Sequence, residues 1–184
     1  HEGIGEVLHD PSGKFKTGDL VVMVPNCPTE KDEYIAENYL RSSKFCGSSM
    51  DGFLQEFVEI SPNRLVKLPQ DIDRNVAAFT EIISVSVHAI TRFDKIAHAR
   101  RDVIGVWGDG NLGYITSLFL KYMFPKSKIA VFGTNREKLN DFTFADETHL
   151  VNEVPDGFTM DHAFECVGGN GSPIAIEQII GLIK

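Results

Sequence analysis

Residues 103–113 read Val103-Ile104-Gly105-Val106-Trp107-Gly108-Asp109-Gly110-Asn111-Leu112-Gly113. The first five form a short apolar run typical of a buried strand, and the last six fit the pattern G-x-G-x-x-G. Apolar residues then recur every three or four positions, which predicts a helix over Asn111–Met123. A strand, a glycine-rich turn and a helix in this order are typical of a dinucleotide-binding unit. The alternative is a glycine-rich turn that binds no ligand. The position of the loop between a buried strand and an apolar helix favours dinucleotide binding over this alternative.

Five of the six loop positions have a predicted role in binding a dinucleotide. Gly108 permits the tight turn, Gly110 has no Cβ and lets a pyrophosphate approach the backbone, and Gly113 lets helix and strand pack closely. Asn111 and Leu112 begin the helix, whose free N–H groups and dipole favour phosphate. We therefore expect these five residues to bind the cofactor.

The end of the next predicted strand indicates which cofactor is bound. Lys128–Phe132 leads into Gly133, Thr134, Asn135 and Arg136, with no acid at the position where NAD sites bind the ribose 2′-hydroxyl. Gly133 leaves room there, Thr134 and Asn135 can donate hydrogen bonds, and Arg136 adds positive charge. This pattern predicts NADP(H). The alternative is that Arg136 only begins a helix and faces solvent.

The rest of the chain predicts a mixed α/β protein. Strands are expected at 4–8, 20–24, 52–60, 65–68 and 161–166; helices are expected at Arg74–Thr91 (capped by Asp73), at Arg136–Phe142 and after Ser172-Pro173. Alternating strands and helices after residue 100 imply a parallel sheet. We expect a strand-rich domain over 1–72, a connecting helical region over 73–99 and a nucleotide-binding domain over 100–184.

Composition excludes several classes of function. The formal net charge is -8, the pI is near 5.2, and the basic residues are interspersed with acids, so neither a nucleic-acid nor a membrane-surface partner is expected. No apolar run could span a bilayer, and the first residues do not resemble a signal peptide. The three widely spaced cysteines form no disulfide framework, which favours a cytoplasmic protein. Both ends read as interrupted elements, as expected of a fragment.

Three further residues could bind a metal. Glu81 lies among apolar residues of the predicted helix, and a buried carboxylate needs a partner or a metal ion. A catalytic zinc takes about three protein ligands, which His1, Glu2 and Glu81 could supply in part. Spacing alone favours the simpler interpretation of Glu81 as an exposed or capped acid.

Several motifs together resemble the zinc-dependent medium-chain alcohol dehydrogenases. They are His1-Glu2-Gly3-Ile4-Gly5-Glu6-Val7, Thr17-Gly18-Asp19-Leu20-Val21, Asp51-Gly52-Phe53-Leu54-Gln55-Glu56-Phe57, the helix around Glu81, the glycine loop, and Asp161-His162-Ala163-Phe164-Glu165-Cys166-Val167-Gly168-Gly169. The resemblance runs from end to end. It implies part of a GroES-like β-rich catalytic domain, followed by an incomplete Rossmann-type doubly wound parallel sheet.

The resemblance also implies roles for particular residues. His1 matches the family's zinc-ligand histidine, Glu2 the adjacent glutamate, and Glu81 the zinc-ligand glutamate of the polyol dehydrogenases. Val167 and Gly168 match the turn that lies along the cofactor. One catalytic zinc is therefore implied, although the family's first cysteine ligand and its proton-relay hydroxyl are absent from this chain. The chain alone is expected to be inactive.

The segment 30–45 is similar to the ribulose-5-phosphate reductases of bacterial teichoic-acid synthesis. This implies reduction of ribulose 5-phosphate to ribitol 5-phosphate with NADPH, a homodimer, and a partner cytidylyltransferase that forms CDP-ribitol. Cys27 is the single cysteine where many relatives hold a four-cysteine lobe, so no structural zinc is expected. Arg41 and Lys44 are candidates for binding the substrate phosphate, although each taken singly is better explained as a solvated charge.

Three alternatives remain. An NAD-dependent sorbitol- or xylitol-type dehydrogenase usually has an acid near position 133 and the cysteine lobe. A zinc-free NADPH protein of the quinone-reductase type would need neither Glu81 nor the His1-Glu2 pair. A non-catalytic scaffold that docks a nucleotidyltransferase would not need the intact glycine loop.

Overall fold

A computed structural model describes residues 1–184 and shows a mixed α/β protein with two compact units, residues 1–82 and 83–184. The strands are β1 Ile4–Glu6, β2 Leu20–Met23, β3 Asn26–Cys27, β4 Lys44–Phe45, β5 Leu65–Lys67, β6 Val103–Trp107, β7 Lys128–Gly133, β8 Glu147–Leu150 and β9 His162–Glu165. The α-helices are α1 Arg74–Ala77, α2 Thr80–Ile96, α3 Asn111–Met123, α4 Arg136–Asn140 and α5 Ser172–Leu182. Short 3₁₀ turns occur at Glu37–Tyr39, Pro62–Arg64 and Gly169–Gly171.

The first unit contains a small antiparallel sheet in the order β1-β2-β5. All four residues of the central strand β2 are buried, as expected for an apolar strand with neighbours on both sides. The turn before it, at residues 16–19, is held by the Asp19 carboxylate, which accepts a hydrogen bond from the Lys16 amide and forms a salt bridge with Lys67. Strands β3 and β4 form a separate two-stranded pair.

The strand predicted over residues 52–60 is wrong. This segment is irregular and pairs with no strand of the chain. Phe53 is buried, whereas Leu54 and Phe57 are exposed, so the apolar residues do not share one covered face. Apolar and β-branched residues favour a strand only where a neighbour accepts its backbone hydrogen bonds, and residues 52–60 have no such neighbour.

The helix predicted over residues 74–91 is two helices. Asp73 caps α1 as predicted, and its side chain accepts a hydrogen bond from the Asn75 amide at 2.7 Å. The Thr80 hydroxyl donates to the Ala77 carbonyl at 2.6 Å, where α1 ends. Helix α2 then continues to Ile96, beyond the predicted end. The break places Glu81 in the first turn of α2.

The second unit is built on a parallel sheet in the order β8-β7-β6-β9. Predicted and observed bounds agree for β6 and α3, and β7 is one residue longer than predicted. Helix α4 ends two residues earlier than predicted, at Asn140, and β9 is shorter than the predicted 161–166. Strand β8 was not predicted.

Successive residues of β6 and β7 pack into two different apolar clusters, one on each face of the sheet. One cluster contains Ile104, Val106, Ile129 and Val131 together with Ile90, Leu120, Leu139 and Phe142. The other contains Trp107, Ala130, Phe132, Met160 and Ala175. Burial on both faces is typical of parallel strands covered by helices. The glycine loop begins directly after the buried strand β6.

None of the helices has the length and apolar character needed to cross a bilayer.

Candidate metal and dinucleotide sites

His1, Glu2 and Glu81 lie together in the first unit. Their ligand atoms are all within 4.8 Å of one another. The His1 Nδ1 atom is 3.0 Å from Glu81 Oε2 and 3.8 Å from Glu2 Oε1. Residues 80 positions apart in the chain are therefore brought into one cluster of an imidazole and two carboxylates.

Two elements position this cluster. Helix α2 presents Glu81 from its first turn. The loop after β4 packs against His1: the rings of Phe45 and His1 are 5.7 Å apart, and a Cβ atom at Gly47 would lie 2.6 Å from the His1 backbone nitrogen. Any side chain at position 47 would displace His1. The glycine is required there by this close approach.

The charges and burial of the cluster favour binding of a cation. Burial raises the pKa of Glu81, and the negative charge of Glu2 raises it further. The Glu81 side chain is only 10% exposed, so it is not the exposed acid that spacing alone favoured. A divalent ion would offset both the burial and the repulsion. One nitrogen and two oxygen ligands match a catalytic zinc site, which uses about three protein ligands and keeps one position open.

The glycine loop of the second unit is tight at one end and open in the middle. The Gly108 amide donates to the Phe132 carbonyl at 2.8 Å, so the loop is anchored to β7. A Cβ atom at Gly113 would lie 1.9 Å from the Gly108 carbonyl oxygen, whereas one at Gly110 would meet nothing within 4 Å. The free space above Gly110 is where a pyrophosphate could approach the N-terminus of α3.

Asp109, within the loop, is a functional candidate that the sequence interpretation missed. Its Oδ2 atom accepts hydrogen bonds from the Thr134 amide at 2.7 Å and the Asn135 amide at 2.8 Å. A Cβ atom at Gly133 would lie 2.6 Å from the Asp109 Cβ. The space over Gly133 is therefore occupied by Asp109, and is not free for a 2′-phosphate. An acid at the second loop position together with Gly133 was the available signal.

The residues after β7 are exposed, and the side chains of three of them have internal partners. The Thr134 hydroxyl donates to Asp109 Oδ2 at 3.4 Å. The Asn135 side chain caps α4 by accepting hydrogen bonds from the Glu137 and Lys138 amides. Arg136 forms a salt bridge with Glu153 at 2.5 Å. Its guanidinium is thus engaged at the surface in this structure.

The turn after β9 is held by a carboxylate. Glu165 Oε1 accepts hydrogen bonds from the amides of Val167 and Gly168 at 2.7 and 2.8 Å, and its Oε2 atom accepts one from the Ser172 hydroxyl. Val167 is exposed, so this turn presents a side chain and a fixed backbone to solvent. Burial raises the pKa of the neighbouring Cys166 to about 11, which keeps its thiol protonated at neutral pH.

Arg41 and Lys44, the candidates for substrate phosphate, are both exposed. Lys44 directly precedes Phe45, whose ring lies beside His1. Arg41 follows the 3₁₀ turn at Glu37–Tyr39. Lys44 is thus adjacent in the chain to a residue that contacts His1.

Curated relatives match the chain over almost its whole length. Ribulose-5-phosphate reductase of Bacillus spizizenii is 56% identical over 180 residues, which are 98% of this chain and 53% of the relative. Ribulose-5-phosphate reductase 1 of Staphylococcus aureus is 54% identical over 184 residues, or 100% of this chain and 54% of the relative. The chain spans about half the length of these relatives. No protein-family model matches it.

Solved structures agree with this relationship. The crystal structure of Staphylococcus aureus TarJ in complex with NADPH is 46% identical, with a TM-score of 0.79 over 100% of this chain and 51% of that one. The alcohol dehydrogenase of Aeropyrum pernix is 20% identical, with a TM-score of 0.76 over 97% of this chain and 57% of that one. The second likeness concerns the fold alone.

Proposed function

We propose that the protein to which this chain belongs reduces ribulose 5-phosphate to ribitol 5-phosphate with NADPH, because the chain is homologous over its whole length to the ribulose-5-phosphate reductases and has the fold of the zinc-type medium-chain alcohol dehydrogenases. The observation that carries this proposal is the identity of 54–56%, which extends through both candidate sites. When bound, NADPH supplies the hydride to the ketone carbon and zinc polarises the carbonyl oxygen as a Lewis acid.

In this proposal the first unit supplies the metal ligands. His1 and Glu81 are the principal ligands because their atoms are closest, and Glu2 completes the cluster from one side. The donor set of one imidazole and two carboxylates supports zinc. Lys44 and Arg41 attract the phosphate of the substrate.

The second unit binds the cofactor. Gly108, Gly110 and Gly113 shape the loop, and the amides of Asn111 and Leu112 at the start of α3 face the pyrophosphate. Thr134 and Asn135 lie beside the 2′-phosphate of the adenosine ribose, and Val167 and Gly168 lie along the rest of the dinucleotide. The absence of an acid directly after β7 supports NADP(H) over NAD.

The biological setting follows from the same homology. We propose a cytoplasmic homodimer that passes ribitol 5-phosphate to a cytidylyltransferase for CDP-ribitol and teichoic-acid synthesis. Size-exclusion chromatography with light scattering tests the dimer, and co-purification with the transferase tests the partnership.

The deciding experiment is a reductase assay on the full-length protein with ribulose 5-phosphate. We expect turnover with NADPH to exceed turnover with NADH, and removal of metal by a chelator to abolish it until zinc is restored. Ribulose without its phosphate is the matched control substrate. NADH preference would favour a polyol dehydrogenase, and turnover unchanged by complete metal removal would favour a zinc-free reductase.

A further inference from the structure

The turn after β7 has no free backbone amides at its first two positions. The Thr134 and Asn135 amides both donate to Asp109, which reaches over from the glycine loop. Burial alone would raise the pKa of Asp109, but backbone hydrogen bonds, chiefly those from Asn135 and Thr134, together with the charge of Lys138 outweigh it and the pKa is lowered. The carboxylate is therefore charged at neutral pH. A phosphate bound at this turn must therefore accept its hydrogen bonds from side chains. It also needs a positive charge nearby, because the Asp109 carboxylate would repel it.

Two cations follow the turn, and they occupy different positions on α4. Arg136 and Lys138 are two residues apart, which is about 200° around a helix, so they project to nearly opposite sides. Arg136 pairs with Glu153 at 2.5 Å. Lys138 has no salt-bridge partner in the structure, and its charge contributes to the lowered pKa of Asp109.

A cleft with a volume of about 510 Å³ lies beside the glycine loop. Its lining consists of Asp109, Gly110, Asn111, Tyr114, Lys138, Asp141 and Phe142. Lys138 therefore faces the same space as the open position of the loop, and Arg136 is not among the residues that line it. A flexible exposed ammonium group opposite a fixed carboxylate can turn from that carboxylate to an incoming phosphate.

We propose that Lys138, rather than Arg136, supplies the cation that selects NADP(H) by its 2′-phosphate, and that Asp109 positions the turn that leads into the helix carrying Lys138. This inference rests on the proposed use of NADPH. The Lys138 ammonium offsets the Asp109 carboxylate and makes a charge-assisted hydrogen bond to the phosphate. Without Lys138, the phosphate would face the carboxylates of Asp109 and Asp141 with no cation between them, whereas NADH would lose nothing.

The test is calorimetric titration of the full-length protein with NADPH and NADH, which needs neither metal nor turnover. We expect Lys138→Met to weaken NADPH binding about tenfold or more and to leave NADH binding within about twofold, as for loss of a hydrogen bond to a charged group. Arg136→Met should weaken NADPH binding less than about threefold. Lys126→Met, at another exposed lysine of the same unit, is the matched control for loss of one positive charge.

The outcomes separate this inference from the proposed function. A wild-type protein without preference for NADPH would contradict the proposed cofactor, whatever the variants do. A wild-type preference that Lys138→Met retains, or that Arg136→Met reduces as much as Lys138→Met does, would overturn the role of Lys138. Because both side chains are exposed, unchanged thermal melting is expected for each variant and confirms that binding was measured on folded protein.

Discussion

Glu81 is the residue on which the proposed metal site depends most, since its side chain is the least exposed of the cluster with His1 and Glu2. We expect Glu81→Gln to lower zinc affinity by at least about tenfold, because loss of even an outer partner of a metal ligand already costs about 10–100-fold. Zinc content of the purified full-length protein, measured by elemental analysis, checks this. NADPH affinity should not change.

Glu33→Gln provides the control, because it removes an exposed acid of the same unit. Zinc content that falls equally in both variants, or that stays at the wild-type level in Glu81→Gln, would contradict the assignment of Glu81 as a ligand.

Gly110 and Gly113 offer a second comparison between single residues. Gly110→Ala places its methyl group in open space, so folding stability should stay within about 0.5 kcal/mol of wild type while NADPH affinity falls about tenfold or more. Gly113→Ala forces a carbon atom against the Gly108 carbonyl oxygen and should destabilise the fold itself. Thermal melting and calorimetric titration separate the two effects. Normal NADPH binding by Gly110→Ala would show that no pyrophosphate approaches there.

Asp161 links the start of strand β9 to the start of strand β6 in the parallel sheet. It directly precedes β9, its side chain is fully buried, and it accepts hydrogen bonds from the Asp102 and Val103 amides at the start of β6. Arg100 adds a salt bridge at 2.6 Å. Burial raises the pKa of Asp161, but the amides and Arg100 together lower it below the ordinary value of 3.8.

We expect Asp161→Asn to reduce the free energy of unfolding by about 2 kcal/mol at neutral pH, because charge-assisted hydrogen bonds are lost. A folded-state pKa below the unfolded one stabilises the protein above pH 3.8, and this contribution disappears as the pH falls through the folded-state value. Denaturant titrations at neutral and acidic pH check this, with the exposed Asp156→Asn as control. A difference that persists at the lowest pH would contradict the ionic origin.

The elements that the sequence predicted correctly are those with a strong local pattern. Strand β6, the loop and helix α3 combine apolar periodicity with glycines at fixed spacing. Strand β8 was missed because Glu147-Thr148-His149-Leu150 has no apolar run, and it exists through parallel pairing with β7. Residues 52–60 were wrongly predicted as a strand for the opposite reason, since they have the apolar pattern without a neighbour.

The residues of the candidate sites also differ in whether a local sequence pattern predicts them. Gly108, Gly110 and Gly113 were predictable because the motif is contiguous. The meeting of His1 with Glu81 depends on tertiary packing, and spacing alone gave no reason to expect it. Asp109 was missed because its partners at 134 and 135 belong to another strand end.

At the scale of the whole molecule, the two units have apolar cores of different size. The second unit contains two clusters that cover both faces of β6 and β7. The first unit contains three smaller clusters, and its residues 28–43 are mostly exposed with a single 3₁₀ turn. Segments with few buried contacts open at lower free energy than core strands.

We therefore expect amide hydrogen exchange to be slowest in β6 and β7 and fastest in residues 28–43. Hydrogen-exchange mass spectrometry on the full-length protein resolves these peptides. Equal protection of the two regions would show that residues 28–43 are stabilised by something other than the contacts described above.

Trp107 ends β6 and immediately precedes the glycine loop. It is the only tryptophan of the chain, it is fully buried, and its ring stacks on Phe132 at a centroid distance of 3.9 Å. Indole emission overlaps the absorption band of reduced nicotinamide, so a dinucleotide held at this loop would accept excitation energy from the Trp107 indole. The protein therefore contains its own optical reporter, and loading of the cofactor site could be followed by quenched indole light without any label.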